Sequence, residues 1–146
     1  MELKERAPVV AARAIESAAA PAVVGDVMAD IDGWPRWNPA VKEAALRGSV
    51  APGSPFRWKA GPGGITTVRR HVEPPRVLAW AGTTCGIDAI HVYWAEPRGG
   101  DTFDRMAESG DGWPARLLRG ACRRCWRMRG PGLHALTAEA AKRAHR

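Results

Sequence analysis

The sequence predicts an α+β fold: a curved antiparallel sheet of about seven strands packed against an amphipathic C-terminal helix, with short helical turns after the first strand. Three observations carry this expectation. From Lys42 onward, apolar runs of strand length alternate with turn residues at Pro52-Gly53-Ser54, Gly61 to Gly64, Pro74-Pro75 and Arg98 to Gly100. These spacers are too short for the crossovers that parallel strands need, and no strand–helix–strand alternation occurs. Near the C-terminus the period changes to that of a helix: Leu117, Leu118, Ala121, Cys122, Cys125 and Met128 share one face, and Arg116, Arg119, Arg123 and Arg127 the other.

In chain order, Val9 to Glu16 reads as the first strand. Pro21 sits where a first helical turn tolerates proline, and Pro21 to Asp30 reads as a short helix with Val23, Val24, Val27, Met28 and Ile31 as its apolar stripe. Gly25 weakens that helix by about 1 kcal/mol relative to alanine. Asp30 to Val41 then sets two tryptophans among glycine, prolines and asparagine. These breakers turn the chain, while indoles this apolar cap a core or pocket. The strands expected next are Ala44–Gly48, Pro55–Ala60, Ile65–Glu73, Arg76–Thr83, Asp88–Glu96 and Thr102–Ser109. A helix over Trp113 to Arg129 follows, and Gly130-Pro131-Gly132 kinks or ends it before Leu133 to His145 resumes.

The 146 residues fit one domain, 1–146, which buries roughly 68–70% of the surface of its unfolded chain. A hydrophobic fraction of 45% and a charged fraction of 25% exclude a disordered or fibrous chain. Seven tryptophans against one tyrosine and two phenylalanines suit a roomy apolar cavity with polar handles, although core packing is the default for any single one. The charged start, Met1 to Arg6, and the lack of any long apolar run point to a cytoplasmic protein without a membrane span. Three cysteines make a disulfide framework unexpected. Much of the net charge of +7 comes from Arg116, Arg119, Arg123, Arg124, Arg127 and Arg129. A solvated helix face explains that cluster most simply, and a basic interaction module is the sharper alternative.

Local motifs in a fixed order sharpen the picture. They are Asp30-Ile31 with Trp34-Pro35-x-Trp37-Asn38-Pro39-x-Val41, then Phe56-Arg57-Trp58, Pro74-Pro75-Arg76-x-Leu78-x-Trp80, Gly86 to Val92, Glu108-Ser109, and Gly112 to Leu118. Together they resemble the SRPBCC superfamily, the START-like polyketide cyclase/dehydrase and lipid-transport group, over Ile15 to about Ala141. The resemblance implies a helix-grip fold with two short helices after the first strand and the sheet wrapped around a long C-terminal helix. It also implies an internal cavity for a small hydrophobic molecule, lipid or polyketide-like. Gly25 stands where such proteins usually carry a large apolar residue, so a looser first helix or a larger cavity is expected. Asp104 puts a carboxylate where the last strand should be apolar, and the break at Gly130 interrupts a helix that is otherwise continuous.

His91, with Asp88 nearby and Glu108 on a later strand, is the best acid/base set. Histidine titrates near neutrality, and a carboxylate partner fixes its tautomer. A backbone-bonded strand histidine is the plainer reading. Trp34, Trp37, Trp58 and Trp80 are candidate cavity walls, with Trp94 as a further one and Thr67 and His71 as polar contacts. Cys122-Arg123-Arg124-Cys125 has metal or redox spacing, but both cysteines lie on a helical stripe and no second pair completes a tetrahedral site. No metal is expected, and without a dinucleotide fingerprint, Walker loop or nucleophile elbow no cofactor is expected either. The expected partner is therefore a small hydrophobic ligand bound by a monomer or homodimer, with no specific nucleic acid. A cofactor-free cyclase or dehydratase is the enzymatic alternative.

Overall fold

The computed structural model describes every residue except 1–3, 5, 49–50, 61–62, 74 and 129–130. The expected turn residues Gly61, Pro62 and Pro74, and the helix-break residue Gly130, lie outside the described residues.

Strand β1 (Val9–Ser17) leads into α1 (Pro21–Ala29), a 3₁₀ turn (Ile31–Gly33) and α2 (Trp34–Trp37). Six strands follow: β2 (Glu43–Leu46), β3 (Pro55–Ala60), β4 (Gly63–Glu73), β5 (Val77–Thr84), β6 (Ile87–Arg98) and β7 (Asp101–Asp111). The chain ends in α3 (Trp113–Leu117), α4 (Arg119–Met128) and α5 (Pro131–Ala144). All strands join one antiparallel sheet in the order β1-β7-β6-β5-β4-β3-β2. Five hairpin links make the meander, and only β1 and β2 sit at opposite edges. The β1–β2 connection must therefore cross the sheet, and it carries α1 and α2 over the inner face.

The inner face is the apolar one. Phe56, Trp58, Ile65, Leu78, Trp80, Tyr93 and Ala95 are buried from the strands, and Val24, Val27, Met28, Ile31, Leu133, Leu136 and Ala140 from the helices. Leu133, Leu136 and Ala140 fall at i, i+3 and i+7 of α5, one stripe turned toward the sheet. Asp30 ties the two helical segments together, since its carboxylate accepts from Arg143 of α5 at 3.1 Å. The helix-grip arrangement is thus present, with α5 as the element gripped. No helix of the described residues is long and apolar enough to cross a membrane.

The Trp34 to Trp37 block forms the second of the two short helices expected after the first strand, and Trp34 Nε1 donates to the Met28 carbonyl at 3.1 Å. Two expectations need correction. Gly25 does not enlarge the cavity: a Cβ there would stand 2.9 Å from Pro75 Cβ, so the glycine lets Pro75 close on α1. The predicted helix from Trp113 breaks at Leu118, which has a ψ of 35°. That break resets the helical phase. Pro114 and Ala115 are buried, whereas Leu117, Leu118 and Ala121 of the expected core stripe are exposed and Cys122 is partly buried. The side chains of Cys125 and Met128 lie outside the described residues. Gly112 begins this segment at φ 118°, in a conformation and a contact with the Gly86 carbonyl that exclude any side chain.

Asp104 does not disturb the alternation of β7. It points inward and is fully buried, and Tyr93 of β6 donates its phenolic hydrogen to Oδ1. Its other oxygen has no hydrogen-bond partner among the described residues. Burial pushes the Asp104 carboxyl up to about 6, against the lowering effect of the Tyr93 hydrogen bond. The Tyr93 phenol is pushed upward by burial and then by the charge of Asp104.

Candidate functional site

Strand alternation brings three side chains of the inner face into one row. Trp80 of β5 pairs with His91 of β6, and His91 pairs with Glu108 of β7. The Trp80 and His91 rings stack with centroids 5.3 Å apart and planes 9° apart. His91 Nδ1 stands 2.9 Å from Glu108 Oε1. Both side chains of this pair are almost wholly buried, at 4% and 12% exposure. With Nδ1–H donating to the carboxylate, the neutral ring keeps Nε2 as its proton acceptor. Trp58 closes on the imidazole edge to face, at 5.9 Å and 78°.

These residues border a cavity between the sheet and the helices. Trp34, Trp37, Trp58, Trp80, His91 and Glu108 all line it, together with Met28, Met106, Asn38, Gly132 and Leu136. The indoles are individually fixed. Trp34 packs edge-on against Phe56 and Trp58 at 5.6 and 6.1 Å, and Trp58 Nε1 donates to Thr67 Oγ1 at 2.9 Å. Such aromatic pairs contribute about 0.5–1.5 kcal/mol each beyond area burial. Two donors are left over: the Nε1 groups of Trp37 and Trp80 are buried without a hydrogen-bond partner among the described residues. The space open to the centres of water-sized spheres is about 60 Å³. That holds a few waters, whereas pockets for drug-sized molecules run to roughly 300–1,000 Å³.

The structure separates some of the other predicted residues from this set. Asp88 is exposed on the opposite face of β6, where Thr83 Oγ1 lies 2.9 Å from its carboxylate, so it does not partner His91. Thr67 is fully buried but does not line the cavity; it fixes Trp58. Trp94 also lies off the cavity, under the Arg105 guanidinium at 5.0 Å. His71 pairs with Ala79 in the backbone register, next to a bulge at Arg69/His71, and its side chain lies outside the described residues. Met106 and Asn38 are cavity residues that were not predicted. Met106 could have been found two positions before Glu108, on the same strand face. Among the described residues no cluster of three or more His, Cys, Asp or Glu side chains could hold a metal ion.

The family model described as polyketide cyclase/dehydrase and lipid transport matches residues 8–144. An aromatase/cyclase from Streptomyces sp. R1128 superposes with a TM-score of 0.78 at 17% identity, covering 92% of this chain and 94% of that one. The di-domain aromatase/cyclase StfQ of the steffimycin biosynthetic pathway gives 0.79 at 16% identity, over 94% of this chain and 52% of that one. A START superfamily protein from Mycobacterium smegmatis gives 0.68 at 14% identity, covering 91% and 97%. Comparison with curated proteins gives no match. At these identities the solved structures establish the fold.

Proposed function

The chain belongs to the polyketide cyclase/dehydrase and lipid transport family of the START/SRPBCC superfamily, and on that premise we propose that it binds a small hydrophobic molecule, lipid or polyketide-like, between sheet and α5. The observation that carries this reading is a buried polar pair, His91 and Glu108, set in a wall of four tryptophans. Apolar walls with a few convergent polar groups are what a ligand pocket needs: area gives affinity and the polar atoms give orientation. The unpartnered indole donors of Trp37 and Trp80 favour a ligand that carries carbonyl or hydroxyl oxygens. Residues 1–146 act in this reading as one binding domain.

Size sets a condition on binding. A molecule of several rings does not fit in about 60 Å³, so its entry must displace part of the wall. The short Trp37 to Val41 segment, which lies outside the strands, borders the cavity and meets α5 where the Asn38 amide lies close to Gly132.

A second reading is a cofactor-free cyclase or dehydratase. It is favoured by the 2.9 Å contact of His91 with Glu108, which would let Nε2 take a proton next to a carbonyl while the carboxylate stabilises the imidazolium. Calorimetric titration with a hydroxyanthraquinone, together with product analysis on linear poly-β-ketone thioesters, separates the two. A carrier binds the ring compound, keeps that affinity within about threefold in Glu108→Gln, and turns nothing over. A cyclase loses about 10²–10⁴ of its rate in the same variant. No uptake of any such ligand would remove both readings.

A further inference from the structure

Among the described residues one apolar surface is left uncovered, formed by side chains that do not line the cavity. Among the described residues the buried side chains that seat α3 and the first half of α4 are Pro114, Ala115 and the partly buried Cys122, the latter two packing against Val9, Ala89 and their neighbours. Everything from Arg116 to Ala121 is exposed. Trp113, Leu117 and Leu118 stand 72%, 74% and 52% exposed, and among the described residues only Val10, on a strand, is a comparably exposed large hydrophobe. Removing such side chains from water is favourable, so three of them within one short segment form a surface that favours an apolar partner.

Charge narrows the choice of partner. Residues 113–128 contain five arginines and no aspartate or glutamate. Arg116 is paired with Asp111 at 3.2 Å, and Arg119, Arg123 and Arg124 are exposed. A second copy docking the same face on itself would set arginines against arginines with no carboxylate between them. A nucleic acid would meet the charges but leave the two leucines in water. An anionic lipid surface meets both, with phosphates for guanidinium groups and the headgroup–acyl boundary for tryptophan and leucine.

We propose that Trp113, Leu117 and Leu118, flanked by Arg119, Arg123 and Arg124, form a foot that rests on an anionic bilayer. The foot starts at Asp111, where β7 ends, beside the β5–β6 turn. The contact itself does not depend on what the cavity binds.

Vesicle co-sedimentation tests it with the whole chain. Vesicles of phosphatidylcholine alone should retain little protein, and vesicles containing phosphatidylglycerol should retain most of it. Trp113→Ala with Leu117→Ser should weaken binding at least about tenfold, and each of Arg119→Gln and Arg123→Gln about fivefold. These side chains are exposed, so the melting temperature of each variant should stay at the wild-type value, which separates lost docking from lost folding. The proposal is overturned if phosphatidylglycerol vesicles bind no better than neutral ones. It is equally overturned if the Trp113/Leu117 variant binds as wild type while heparin displaces the protein, because the surface is then a general polyanion site. A dimer in native mass spectrometry that dissociates on Leu117→Ser would overturn it in favour of self-association.

Discussion

His91 and Glu108 face each other across the β6–β7 ladder, with Nδ1 and Oε1 2.9 Å apart, and the imidazole lies flat against Trp80 of the next strand. A row that joins ring stacking to a charge-assisted hydrogen bond, inside an apolar wall, should be energetically coupled. A double-mutant cycle of His91→Phe and Glu108→Gln, read by chemical denaturation, should give a coupling of about 1–3 kcal/mol. A value near zero would mean that the two side chains are neighbours without mutual dependence.

Thr67 acts on the cavity through Trp58. Thr67→Val keeps the shape and removes the acceptor for Trp58 Nε1. Stability should fall by about 1–3 kcal/mol, the cost of an unsatisfied buried donor. Because the indole loses one of the contacts that orient it, ligand affinity should fall with it, whereas Thr67→Ser should restore both.

Asp104 makes stability depend on pH. Its carboxyl is raised from 3.8 to about 6 in the fold, so the native state holds the proton more tightly than the unfolded chain. The contribution is complete below the unfolded value and is lost as pH climbs through about 6. Asp104→Asn keeps an acceptor for the Tyr93 hydroxyl and carries no charge. Melting curves should show the variant gaining on the wild type between about pH 4 and pH 7, by up to about 3 kcal/mol. Parallel pH profiles for the two proteins would refute this account of the buried carboxyl.

Gly25 is held by sterics against its helix propensity. Alanine would favour the helix by about 1 kcal/mol, yet its Cβ would lie 2.9 Å from Pro75 Cβ. Gly25→Ala should therefore lower the melting temperature, and a net loss of about 1–2 kcal/mol is expected for such overpacking. A stabilised variant would show that Pro75 yields freely.

Much of the fold is legible in the sequence because strand and turn signals are local. The seven strands begin and end within about two residues of where alternation and breakers place them. The helical wall was harder. The wheel drawn through Trp113 to Arg129 assumes an unbroken helix, and the non-helical ψ of Leu118 rotates Leu117 and Ala121 out to solvent. In the site, Asp88 and His91 look close because they are three residues apart. On a strand, however, an odd separation means opposite faces, and that parity can be read without a structure. Glu108 stands beside His91 in the set read from the sequence, but that their side chains meet depends on the antiparallel register between β6 and β7, which no local signal gives. The Tyr93–Asp104 pair, which makes the inward carboxylate tolerable, is hidden for the same reason.

The tryptophan-walled space is proposed to take up a hydrophobic molecule. Native mass spectrometry of the chain purified from its own host, and again after incubation with that host's organic extract, tests this most directly. The expected result is a stoichiometric adduct above the 15.8 kDa chain that is released on denaturation as an apolar compound bearing oxygen. A chain that stays at its own mass in both preparations would contradict the account.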